Sequence, residues 1–400
     1  MSLRKAVFTA CFTVYLNSIA FAGADTIKIA IVNDQGGPFS AYGGPGSVIA
    51  SRLAAEEFGG TVLGKKIEIV AADHQNKPDL AALIVRRMFD VDNVDVIVDG
   101  AGSAAALAIQ GIARDKGKIF LITGASGDFT GIDCSPTGFH FSPDTYALAR
   151  ATAKSLIKAG GDRWYFVTAD YAFGHSLERQ ARAVVEESGG KVSGSARHPL
   201  NSSEFSSFLL SAQSSGANVI GLANAGTDLT NAIKQAQEFQ IVNAKTKLTG
   251  FLLDIIDIAA LGLPAAKGIT FANTFYWDAN AETRAFAKSF MAKSGGKVPG
   301  QIHAGSYAAV KHYLTAVKAA GTDDGRVVAA KMRELPINNM YQKDTKIRVD
   351  GRVLTNLYIN QAKSPEDSKY PFDYMKVVQT LSGEEAFRPL NEGGCHLVAQ

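Results

Sequence analysis

Short apolar runs rich in Val and Ile alternate along the chain with longer stretches of helical period, the pattern of a parallel sheet covered on both faces by helices. The runs predict strands at Thr26–Val32, Lys66–Ala71, Val94–Asp99, Ile119–Ile122, Trp164–Thr168, Val192–His198, Val219–Ala223, Lys247–Leu252 and Ile269–Phe275. Helix starts are marked by Pro78-Asp79, Ser203-Glu204, Thr227-Asp228 and Asn280-Ala281-Glu282, whose helices reach Phe89, Ser211, Phe239 and Met291. Glycine pairs after Phe58, Ala159, Ser188 and Ser294 suit left-handed helix ends. The pattern gives two doubly wound units, from about Thr26 to Phe141 and from about Tyr146 to Thr270. Beyond them come helices from Ala281, His303 and Asp324, then Lys346–Val349 and two β-rich runs at Val353–Asn360 and Asp373–Thr380. This tail is too short for a core of its own. It is expected to complete both units by crossing between them, which makes a hinge.

Arg4 and Lys5, the apolar run from Ala6 to Ile19 and then Ala20-Phe21-Ala22 form a cleavable export signal over residues 1–22. No later run approaches the roughly 20 apolar residues of a membrane helix, so a soluble exported protein without membrane insertion is expected. The 400 residues, 46% hydrophobic, allow two or three domains with sizeable cores. The formal charge of +3 is smaller still once Arg4 and Lys5 leave, which argues against a nucleic-acid or anionic-membrane partner. Cys11 lies in the signal. Cys134 and Cys395 remain, and in an oxidising compartment an even pair is read as a disulfide, against the alternative of two unrelated thiols.

The candidate chemistry sits just after strand ends, where open parallel sheets bind ligands. Gly100-Ala101-Gly102-Ser103-Ala104-Ala105 formally fits the dinucleotide fingerprint, but it follows the third strand, and the next strand closes Leu121-Ile122-Thr123-Gly124 without an acid. What remains is a glycine turn whose helix start near Ser103 suits an anionic group such as a carboxylate. Gly124-Ala125-Ser126-Gly127-Asp128 and Gly174-His175-Ser176-Leu177-Glu178 each lack the last glycine of a nucleophile elbow. The seven histidines form no zinc spacing, so no cofactor, metal or catalytic residue is predicted. Tyr42 and Tyr171 occupy corresponding turns of the two units, and Asp254 follows a strand, where a carboxylate can hold an ammonium.

From Ile27-Lys28-Ile29-Ala30 through Gly36-Gly37-Pro38, Gly102-Ser103, Thr123-Gly124-Ala125-Ser126, Asp170-Tyr171-Ala172-Phe173-Gly174 and Tyr307-Ala308-Ala309-Val310, the chain resembles periplasmic type I solute-binding proteins of ABC transporters. The branch is that of the leucine/isoleucine/valine-binding proteins. The resemblance implies an α/β protein with two doubly wound lobes on a three-crossover hinge: residues 25–143 plus 274–346 form the N-terminal lobe, residues 144–273 plus 350–400 the C-terminal lobe. It implies a periplasmic monomer without enzymatic activity that binds a small carboxylate-bearing solute, an amino acid or an aromatic or organic acid, and delivers it to a membrane permease. Gly102, Ser103, Ala104, Gly124, Ala125 and Ser126 match the turns that hold the solute's polar groups, Tyr42 and Tyr171 the aromatics that cover it, and Asn224 a further contact. The amino-acid binders carry a Glu just after a strand-end Gly. Here Gly250 is followed by Phe251-Leu252-Leu253-Asp254, which leaves room for an aromatic or other organic acid, or an amide. The alternatives are an exported α/β enzyme, hydrolase-like on the same scaffold, and a ligand-sensing module.

Overall fold

The computed structural model describes residues 26–243 and 245–398; the signal segment with Cys11 and the expected cleavage after Ala22 lies outside the described residues. The first lobe is built on six strands, β1 (Thr26–Asn33), β2 (Thr61–Val62), β3 (Lys65–Asp73), β4 (Val96–Asp99), β5 (Ile119–Ile122) and β6 (Gly138–His140), in the order β2-β3-β1-β4-β5-β6. Every pairing is parallel except the β2–β3 hairpin. Successive residues of β1 face opposite sides and both faces are covered, which explains its apolar run Ile29-Ala30-Ile31-Val32. Ile27, Ile29 and Ile31 pack against the helices Gly44–Glu57 and Gln301–Ala320 through Val48, Leu53, Tyr307 and Val310. Ala30 and Val32 face the helices Pro78–Asp90 and Ser103–Asp115 through Val85, Phe89 and Ile109. Truncating Ile29, fully buried at the centre, to Ala costs about 2–5 kcal/mol on this packing.

The second lobe carries β7 (Arg163–Ala169), β8 (Lys191–His198), β9 (Val219–Ala223) and β10 (Lys247–Gly250), all parallel, in the order β10-β9-β7-β8. Trp164 anchors its core, stacked with Phe166 and Phe251, and its indole N–H reaches the Gly161 carbonyl at 2.9 Å. An antiparallel sheet, β11 (Thr270–Asn273), β12 (Leu357–Ala362) and β13 (Met375–Leu381), extends this lobe, and the Thr249 hydroxyl of β10 donates to the Thr270 carbonyl at 2.6 Å.

Three segments cross between the lobes. The first runs from β6 into the helix Thr145–Lys158, whose start is capped by the Asp144 carboxylate accepting from the Ala147 N–H at 2.8 Å. The second runs from β11 to the helix Ala281–Lys293, capped by Asn280. The third enters β12; in the segment before it an isolated bridge joins Ile347 to Val353. The chain then returns, and Cys395 is bonded to Cys134 with an S–S distance of 2.01 Å.

Several elements differ from the sequence reading, the short β2 and the helices Ile255–Leu261 and Leu263–Ala266 among them. β6 was not anticipated, because Gly138-Phe139-His140 is too short to show an alternation; it forms because the β5 edge needs a partner. The helix expected from Ser203-Glu204 starts at Ser206 without a side-chain cap. Among the described residues no helix is long and apolar enough to cross a membrane.

Candidate functional site

The strand-end turns of both lobes converge on a small cavity of about 40 Å³. The first lobe contributes Phe39, Tyr42, Ala101, Gly102, Ser103 and the turn Thr123-Gly124-Ala125, and the second contributes Tyr171, Phe173, Ala225 and Leu252. Ile302, near the start of the helix Gln301–Ala320, closes one side. The walls are mostly apolar and aromatic, and among the described residues no lining side chain bears a charge.

Local sequence explains how each wall is held. After β1 the Asp34 carboxylate accepts from the Gly37 N–H at 2.8 Å and the Phe39 N–H at 3.0 Å, an Asx-type turn that presents Phe39 and Tyr42. Phe39 stacks on Tyr171 of the other lobe with centroids 6.2 Å apart, and Tyr171 in turn lies 5.9 Å from Phe173. Gly102 sits at φ 106°, ψ 97°, in a region that favours glycine, and a Cβ there would lie 2.2 Å from the Asn76 side-chain oxygen. This turn starts the helix Ser103–Asp115, so Ser103 stands at a helix N-terminus with free amides beneath it. Ser103 is 3% exposed, and among the described residues its hydroxyl has no protein partner.

The lobes are closed against each other. The Tyr42 hydroxyl lies 2.9 Å from both carboxylate oxygens of Asp257 and accepts from the Gly226 N–H at 3.1 Å. Gly226, at φ 63°, would place a Cβ 2.4 Å from the Pro38 carbonyl oxygen. Burial raises the Asp257 carboxyl well above its ordinary range, and neighbouring Asp254 adds to this against the Tyr42 hydrogen bond.

Tyr42, Gly102, Ser103, Gly124, Ala125 and Tyr171 therefore line the cavity, whereas Ala104, Ser126, Asn224 and Asp254 do not. Ala104 is exposed on the outer face of its helix. The Ser126 hydroxyl turns back to accept from the Asp128 N–H at 3.2 Å, capping a short 3-10 helix. Asn224 pairs with His198 at 3.1 Å. The expectation that Asp254 holds an ammonium is corrected. Its carboxylate caps the helix Ile255–Leu261 by accepting from the Ile255 N–H at 2.7 Å, and accepts from the Gln301 N–H at 2.8 Å, fully buried away from the cavity. Burial pushes its pKa up to about 6 while those two amides act the other way. Phe39, Ala101, Thr123, Phe173, Ala225, Leu252 and Ile302 were not singled out as site residues from the sequence. Phe39 and Phe173 share turns with Tyr42 and Tyr171, a usable signal; Ile302 reads as an ordinary helical core position.

The arrangement can exclude water from an apolar body and hold one anionic or polar end on a helix start and a turn. Among the described residues no cluster of His, Cys, Asp or Glu suited to a metal ion occurs. The family model described as "Periplasmic binding protein" matches residues 26–369. A Leu/Ile/Val-binding protein homolog 4 of Brucella abortus is 27% identical over 96% of this chain and 95% of its own length. The crystal structure of a periplasmic binding protein from Burkholderia mallei superposes with a TM-score of 0.90 at 43% identity, covering 94% of this chain and 100% of that one. A periplasmic ligand-binding protein of a branched-chain amino acid ABC transporter from Burkholderia xenovorans gives a TM-score of 0.84 at 35% identity, covering 93% and 99%. With its two closing lobes, three crossovers and interlobe cavity, the chain belongs to the periplasmic binding proteins, in the type I class that includes the leucine/isoleucine/valine binders.

Proposed function

We propose that the protein is the periplasmic, monomeric capture component of an ABC importer, and that its solute is a small carboxylate with an apolar body and no ammonium group. The lining of the cavity carries this reading: a serine hydroxyl and helix-start amides stand opposite aromatic rings, and among the described residues none of the lining side chains is acidic. An α-amino acid brought here would bury its ammonium without a counter-charge, which is costly. A carboxylate finds hydrogen-bond donors and the positive end of a helix. The importer role, delivery to a membrane permease and removal of residues 1–22 on export follow from family membership and the signal-like segment.

Calorimetric titration with leucine and with 4-methylpentanoate, the same skeleton without the ammonium, separates the two solute classes; benzoate and phenylalanine form an aromatic pair. Tighter binding of the ammonium-free partner in either pair is expected. Preference for the amino acid in both pairs would overturn the reading.

A further inference from the structure

The turn Thr123-Gly124-Ala125-Ser126 is held from behind by the hinge. The Gly124 carbonyl oxygen accepts the Ser142 hydroxyl at 2.9 Å and faces the His140 Nε2 at 2.5 Å. The Ala125 carbonyl accepts from the Thr145 N–H at 2.8 Å. His140 is the last residue of β6, while Ser142 and Thr145 lie on the first crossover and the helix it opens. Burial holds His140 in its neutral form, with Arg352 acting the same way. Among the described residues its Nδ1 has no partner, so the proton sits on Nε2 and points at Gly124.

A trans peptide is planar, so the N–H of one residue points opposite to the carbonyl of the residue before it. Fixing the Gly124 carbonyl against the hinge therefore directs the Ala125 amide to the opposite side of the turn, where Ala125 lines the cavity. Among the described residues this amide has no protein acceptor. The turn has no freedom to flip. A Cβ at Gly124 would lie 2.9 Å from the Gly100 carbonyl oxygen and 3.2 Å from the Phe129 ring, so the backbone fills the space a side chain needs. Behind it, the Arg352 guanidinium of the third crossover donates to the Ser142 carbonyl at 2.6 Å, and the His140 N–H donates to the Gly351 carbonyl at 2.9 Å.

We infer that His140 and Ser142 are positioning residues, which never touch the solute and aim the Ala125 amide at its anionic end. The inference rests on the carboxylate reading of the cavity and adds how specificity is built. Both positions lie on or beside the first crossover, so the donor is set by the segment about which the lobes turn.

The test compares carboxylate and carboxamide affinities in the full mature chain, with benzoate and benzamide as one pair and 4-methylpentanoate and its amide as the other. Ser142→Ala is expected to weaken carboxylate binding about three- to tenfold while amide binding changes less than about twofold, because a neutral end gains little from the aimed backbone N–H. Ser142→Thr, which keeps the hydroxyl, is expected to restore the wild-type ratio. His140→Leu should act as Ser142→Ala does, and His140→Gln, whose amide nitrogen reaches a similar place, should recover part of the loss. In wild type the Ala125 amide proton resonance should move downfield on adding carboxylate, less so in Ser142→Ala. Equal losses for carboxylate and amide, or wild-type carboxylate affinity in Ser142→Ala, would overturn the positioning role alone. Wild-type protein that binds neither carboxylate overturns the anion reading of the cavity and this inference with it.

Discussion

Tyr42 of the first lobe and Asp257 of the second meet across the cleft, the phenol oxygen 2.9 Å from each carboxylate oxygen. The contact exists only while the lobes are shut, because its partners belong to different sheets. Tyr42→Phe keeps the ring against the solute and removes the hydrogen bond, leaving a buried carboxyl and the Gly226 N–H without their shared partner. A loss of about 1–3 kcal/mol is expected in the closed state, seen as roughly five- to a hundredfold weaker solute binding. Small-angle scattering at saturating solute should then show a larger radius of gyration than wild type at equal solute concentration. Unchanged affinity and radius would show that the contact does not hold the closed form.

Gly226 supplies an independent test of closure. Its left-handed φ of 63° and the 2.4 Å approach of a Cβ to the Pro38 carbonyl oxygen both exclude alanine from the shut form. Opening relieves the collision but leaves the backbone conformation. Gly226→Ala should therefore weaken solute binding more than tenfold, while the far-ultraviolet circular dichroism stays that of wild type. Retained affinity would mean that the lobes close by another path.

The paired tyrosines and the glycine turns were legible because each is a local event at a strand end. Asp254 misled for a physical reason. Asp254-Ile255-Ile256-Asp257 has capping-box spacing, and Asp257 reaches back to the Asp254 N–H at 2.8 Å, so the acid that looked like an ammonium site starts a helix instead. Both acids then serve the lobe contact, Asp254 through Gln301 and Asp257 through Tyr42. Nothing local marks Ile302 as part of the cavity, since it arrives from a helix far along the chain. β6 was equally hidden, its three residues being specified by their neighbours and not by their own pattern.

Stability should depend on pH through Asp254. Its native pKa of about 6 lies above the ordinary 3.8 because burial disfavours the charged form. Below about 3.8 the group is neutral in both folded and unfolded chains; as pH rises, only the unfolded chain ionises freely, so stability falls until about pH 6 and then levels. The cost is on the order of 3 kcal/mol. Asp257 acts with the same sign. Denaturant titrations from pH 4 to 7 should show a shallower fall for Asp254→Asn than for wild type; parallel curves would overturn the assignment.

Removing the Cys134–Cys395 bond by a paired substitution to serine should lower stability by about 2–5 kcal/mol, since the bond closes a sequence separation of 261 residues. Solute affinity should change little, because neither cysteine lines the cavity. Intact-mass analysis of exported protein with and without reductant checks that the bond is present.

That same bond makes the chain a covalent ring from Cys134 to Cys395, with every strand of the second lobe and all three crossovers inside it. A protease that clips one exposed loop anywhere in this ring leaves two fragments still joined through sulfur. In a compartment that digests loosened polypeptide, a nicked molecule can thus keep both walls of its binding site tethered together, and it takes a second cut or a reductant to let either wall go.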